Sequence, residues 1–172
     1  MNSVKSSGPA AALKVWAAAS MLVILSVALS LAQAPDATGK QLLLKYTDSD
    51  DTDTLLHHPQ VRPQLQKLLG TELPHLEENL DVSGPVDVVG GDLSIAGNAP
   101  HKGTEEEAVV CIGTYRLVVS AAIYSKGSVT VFSQTASYDD LPRCIKDWIT
   151  LVNSEHRDRV SQPKNVRIVV NK

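Results

Sequence analysis

Ala108-Val109-Val110-Cys111-Ile112 opens the stretch that decides the fold. It is a short, uninterrupted apolar run, as expected of a strand buried on both faces. Tyr115 to Tyr124 follows, with Leu117, Val119, Ala121 and Ile123 at every second position, the period of a strand with one buried side. Ser125-Lys126-Gly127 turns the chain into Ser128 to Ser133, where Val129 and Val131 share a face. Upstream, Val82 to Val89 alternates imperfectly around Pro85, the mark of an edge or a bulge. Gly90-Gly91 is a hairpin signal, and Asp92 to Gly97 reads as the returning strand. The sum is an antiparallel sheet of about five strands joined by short turns.

Helices flank this sheet on both sides in sequence. His58-Pro59 begins a helix ending at Gly70, with Val61, Leu65, Leu68 and Leu69 as its buried stripe. A second, shorter helix is expected over Leu73 to Leu80. Tyr138 to Asn153 is the clearest helix, placing Leu141, Ile145, Trp148, Ile149 and Val152 on one stripe, with Asp139 and Asp140 available to cap it. The expected fold class is therefore α+β: N-terminal helices, the antiparallel sheet, and a C-terminal helix packed on it. Residues 55–153 form the expected single domain, 33–54 a polar acidic lead-in and 154–172 a charged tail. Within that tail Val166 to Val170 reads equally as an extra strand or as unstructured chain.

Residues 1–32 read differently. Lys5 and Lys14 precede an uncharged apolar run from Val15 to about Ala32, the layout of a bacterial secretory signal peptide, with an uncleaved inner-membrane anchor as the alternative. Either way the rest of the chain is expected to be periplasmic or secreted. From Gln33 onward there are 14 basic and 19 acidic side chains, a formal charge of −5. That balance argues against nucleic acid and favours a basic protein partner. An oxidising compartment permits a Cys111–Cys144 disulfide, although both positions also suit buried free thiols.

Catalytic and cofactor signatures are missing: no G-x-S-x-G, no P-loop, no H-E-x-x-H and no dinucleotide fingerprint. The chain is read as a non-enzyme needing no cofactor. Asp48, Asp50, Asp51 and Asp53 do not make a calcium loop, because Asp53 and Pro59 stand where Gly and Glu are required. His57, His58 and His75 have no metal-ligand spacing and read as surface residues, and the Asp53-to-His57 interval falls across a loop.

The segment that stands out is Asn98-Ala99-Pro100-His101-Lys102-Gly103, followed by Glu105-Glu106-Glu107. Pro100 fixes its own φ and biases Ala99 toward extended backbone, while Gly97 and Gly103 permit bends on either side. The result is a stiff loop with one imidazole at its tip, either a binding loop or an exposed hairpin turn without a role. At these residues the chain resembles the periplasmic inhibitors of vertebrate lysozyme, in which a loop of the form Cys-Lys-Pro-His-Asp-Cys follows a strand. It is also similar to exported bacterial proteins in which Gly-x-x-Pro-His is followed by Glu-Ala and a strand, here Glu107-Ala108-Val109-Val110. The resemblance runs from about Leu55 to Val152. It implies a protein partner, a lysozyme-type muramidase, with His101 entering the cleft between its catalytic carboxylates and Glu105, Glu106 and Glu107 steering the approach. Asn98 and Gly103 replace the two loop cysteines, and Lys102 replaces the acid. Two other readings share the scaffold: a non-inhibitory exported binding module, and a hydrolase using His101 with a Glu.

Overall fold

The computed structural model describes residues 37–153 and 163–171. The expected signal at 1–32 lies outside the described residues, as do 33–36 and 154–162. The described chain folds as α1 (Ala37–Tyr46), α2 (Thr52–Leu56), α3 (Arg62–Leu69), a 3-10 turn (Gly70–Glu72) and α4 (Leu73–Glu78). There follow β1 (Val82–Ser83), β2 (Asp87–Val89), β3 (Asp92–Asn98), β4 (Glu106–Ile112), β5 (Val119–Ser125) and β6 (Ser128–Ser133), then α5 (Arg143–Val152) and β7 (Val166–Val170). The fold class is α+β, as the alternation of strand and helix patterns implied.

The sheet is ordered β1-β3-β4-β5-β6-β7, with β2 also pairing to β3. Every pair among β1 to β6 is antiparallel, and β6–β7 is parallel. Seven strands thus stand where about five were expected. Pro85 divides one expected strand into β1 and β2, since it has no N–H for the ladder. The last apolar run becomes β7, reached from β6 through α5, the kind of crossover a parallel pair requires. Gly90 and Gly91 form the two-residue β2–β3 turn with φ of 67° and 91°, values that a side chain disfavours.

Alternation along the strands sorts side chains into two cores. Leu93, Ile95, Ala108, Val110, Ile112, Val119, Ala121 and Ile123 pack against the N-terminal helices through Leu42, Tyr46, Leu55, Leu65 and Leu76. Val109, Cys111, Ala122, Val129 and Val131 face the other way, onto Leu141, Ile145, Trp148 and Ile149 of the α5 region. The sheet is therefore the middle of three layers. Of the two alternatives for the cysteines, the structure holds the disulfide: Cys111 of β4 is bonded to Cys144 of α5, both almost fully buried. Closing a loop over this 33-residue separation contributes about 3–4 kcal/mol in the chain-entropy model.

Several local expectations change. The acidic lead-in is partly helical: Leu42 and Tyr46 dock α1 on the core, and the Asp51 side chain accepts the Thr54 N–H at the start of α2. Because α2 spans Thr52–Leu56, the Asp53-to-His57 interval is a helical one after all, and the two side chains meet at 3.1 Å. The closing helix starts at Arg143, with Pro142 at its N-cap, so Asp139 and Asp140 lie ahead of it and do not cap it.

Candidate functional site

The hairpin β3–β4 carries residues 99–105 at its end, with Asn98 pairing Glu107 as the last rung of the ladder. Pro100 holds the first corner position of a turn at negative φ, and His101 follows at φ 61°. Lys102 N–H donates to the Ala99 carbonyl at 3.0 Å and closes a type II turn. The second corner of such a turn calls for positive φ, a position normally given to Gly or Asn. Here it carries a histidine, and that histidine is exposed. A non-Gly residue in this region costs on the order of 1–2 kcal/mol, so the surrounding bonds must hold it there.

Those bonds are present. Ala99 N–H donates to the Glu106 carbonyl at 3.0 Å, and the Glu105 and Glu106 N–H groups both reach the Lys102 carbonyl at 3.0 Å. Thr104, at φ 72°, donates its N–H to Glu107 Oε1 at 3.0 Å. Asn98 Nδ2 donates to the Ala99 carbonyl at 2.9 Å. Lys102 Nζ reaches Glu78 Oε1 of α4 at 3.2 Å, an exposed pair worth at most about 1 kcal/mol.

Within the loop, Ala99 is fully buried, so its side chain is an anchor rather than a contact surface. Pro100, His101, Lys102 and Gly103 are exposed. Gly97 does not bend the chain, contrary to the reading of its sequence. It lies within β3, where a Cβ would stand 2.7 Å from the Val82 carbonyl oxygen, so its missing side chain lets β1 approach. Gly103 faces Asn98: a Cβ there would lie 3.7 Å from Asn98 Nδ2.

The three glutamates have three different environments. Glu105 is exposed, and Glu107 is half-buried with one oxygen on Thr104. Glu106 points to the α4 side, in the same row as Ala108, Val110 and Ile112, with a side chain only 17% exposed. Its Oε2 accepts from His75 Nε2 at 2.9 Å and Asn79 Nδ2 at 3.4 Å, and its Oε1 from Ser125 Oγ at 2.7 Å. An ionised carboxylate only accepts, so His75 carries its proton on Nε2. Burial pushes the Glu106 carboxyl up, but the bonds from His75, Ser125 and Asn79 outweigh it and leave it below the ordinary range. Sequence reading missed this cluster, because His75 and Glu106 stand 31 residues apart and no local pattern links them.

Ser125, Glu106 and His75 contain the residue types of a hydrolase triad in the wrong order. The serine hydroxyl donates to the carboxylate, whereas nucleophilic catalysis needs it on the imidazole, with the acid behind. Among the described residues no group of three or more His, Cys, Asp or Glu side chains is placed to hold a metal ion. Beside the loop, Lys102, Thr104, Glu105, Tyr124 and Lys126 line an open cleft of about 370 Å³. A second, of about 420 Å³, lies at the opposite end of β5, between Gln64, Lys67, Leu68, Val119 and Gln134. The arrangement holds one exposed imidazole on a turn braced by backbone bonds.

Comparison with curated proteins and with solved structures gave no match. A family model does match, over residues 60–154, which run from the turn before α3 to the end of α5 and include the His101 loop. The chain belongs to the inhibitor of vertebrate lysozyme family.

Proposed function

We propose that this protein binds a lysozyme-type muramidase and blocks it by inserting the His101 turn into the substrate cleft. The observation that carries the reading is the Ala99–Lys102 turn itself, closed at 3.0 Å with an exposed His101 at positive φ on its apex. A cleft that cuts glycosidic bonds contains two carboxyl groups, one acid and one base or nucleophile. An imidazole offers N–H donors to such a pair and fills the place of the sugar. A turn already held by backbone bonds has little entropy left to lose on docking, which favours tight binding. The net negative charge of the domain suits a basic enzyme, and Glu105 is free at the surface to contribute to steering. Glu107 and Glu106 add charge mainly from within their hydrogen bonds.

We infer a working place outside the cytoplasm, in the periplasm or beyond it. The Cys111–Cys144 disulfide and the apolar run at 15–32 support this reading.

The test is a cell-wall lysis assay in which the purified protein is titrated against vertebrate and bacterial muramidases. The wild type is expected to inhibit at least one of them. His101→Ala is expected to weaken inhibition by at least about 100-fold, in the range of a binding hot spot, while unfolding at the same temperature. Equal inhibition by both proteins, or none by the wild type against any muramidase, overturns the reading.

A further inference from the structure

Besides the buried Ala99 and the exposed Lys102–Glu78 pair, the His101 turn is tied to the body of the protein through Glu106. Its backbone supplies two of the bonds that close the loop, accepting from Ala99 N–H and donating to the Lys102 carbonyl, both at 3.0 Å. The pose of Glu106 therefore sets the pose of the turn. Its side chain in turn reaches two elements outside the hairpin: α4, through His75 and Asn79, and the end of β5, through its cross-strand partner Ser125. Asn79 strengthens the same joint, since its Nδ2 also donates to the Glu107 carbonyl at 3.3 Å and the residue is only 1% exposed.

An apolar residue at position 106 would simply extend the buried row of Ala108, Val110 and Ile112. It would take away the acceptor that His75 and Ser125 share and leave Asn79 Nδ2 with the Glu107 carbonyl alone, and a donor that loses its partner is unfavourable. We propose that Glu106 is a positioning residue for the His101 turn, a noncovalent clamp that fixes the loop foot against α4 and β5 so that the imidazole is presented in one pose. The clamp works through His101 and does not itself touch the partner. Its value for inhibition rests on the lysozyme reading above, whereas its effect on the loop does not.

The geometry also supplies a repair. Asn98 Cγ, the place a cysteine sulfur would take in the same rotamer, lies 3.8 Å from a Cβ built at Gly103, so cysteines at these two positions would face each other across the loop. A bond there would close the loop without Glu106.

The experiment measures amide hydrogen exchange in the free protein, at Ala99, Lys102 and Glu105, together with inhibition. Glu106→Ala is expected to accelerate exchange at those amides by about tenfold or more and to weaken inhibition by about the same factor. Glu106→Gln, which keeps the length and one acceptor, is expected to fall between it and the wild type. Adding Asn98→Cys and Gly103→Cys to Glu106→Ala should restore slow exchange and inhibition together, a rescue that a general loss of stability would not show. His75→Leu and Ser125→Ala, which each remove one of the clamp's donors, should give smaller effects of the same kind and replace Glu106→Ala if that variant does not fold. The proposal is overturned if loop exchange is unchanged in Glu106→Ala. It is also overturned if Val110 and Ala121 in the core accelerate equally, or if the two cysteines pair and rescue neither quantity. Faster loop exchange beside a wild type that inhibits nothing would sustain the clamp and overturn only the lysozyme reading.

Discussion

His101 occupies a backbone conformation that its own side chain disfavours, and the cost can be separated from the role. In His101→Gly the relief of the positive φ, about 1–2 kcal/mol, opposes the extra unfolded-state entropy of glycine, about 0.4–1 kcal/mol. His101→Gly is therefore expected to unfold within about 1 kcal/mol of the wild type in thermal or denaturant melts, on the stable side if on either. It should lose inhibition as completely as His101→Ala. A variant destabilised by several kcal/mol would mean that the imidazole is part of the fold and not a presented group. At this scale the sequence was a good guide where the constraint is local. Pro100 next to a histidine announced the turn, and Gly90-Gly91 announced the hairpin. It was a poor guide where the constraint comes from far along the chain. Gly97 is glycine because Val82 and Ser83 approach it across the sheet. Glu106, which looked like one of three solvated charges, is held by residues of two other elements.

The joint between the loop foot, α4 and β5 has a pH dependence whose sign follows from Glu106. Its carboxyl is depressed in the folded protein: burial acts against this, and the bonds from His75, Ser125 and Asn79 prevail. A depressed carboxyl stabilises the fold fully above the ordinary glutamate value of 4.5 and loses that contribution as pH falls through its own lower value. The charged and titratable groups around it are His75 and Glu72 on α4 and the turn before it, with Lys102, Glu105, Tyr124 and Lys126 along the cleft. Denaturant melts of the wild type and Glu106→Gln should differ near neutral pH and converge as the medium is acidified below about pH 4. A gap that stays constant on acidification would show that the ionised carboxylate is not what holds the joint. Among the elements, those with a strong period of their own were legible: β3 to β6, α3 and α5. The ones missed or left undecided were α1, α2 and β7. α2 and β7 are short, five residues each, and α1 and β7 are fixed by tertiary contact, α1 through Leu42 and Tyr46 in the core and β7 through parallel pairing with β6.

At the largest scale, the sheet of the described residues lies between two helical layers, with the turn at one end of the β3–β4 hairpin. Two apolar cores and the Cys111–Cys144 bond join those layers to the sheet. The class of the fold could be read from short apolar strand runs flanked by helical stripes, because a sheet covered on both faces leaves near-continuous apolar strands such as Ala108–Ile112. The partner could be approached only through the His101 loop and the acidic balance, since neither records the shape of what it meets. Cleft insertion is tested most directly by titrating the protein into a vertebrate lysozyme with and without a saccharide that fills the substrate cleft. The saccharide is expected to lower the apparent affinity of the wild type in proportion to cleft occupancy, and His101→Ala should show no saccharide-sensitive binding. Saccharide and wild-type protein bound to the enzyme at the same time, with neither weakening the other, would contradict insertion of His101 into the cleft.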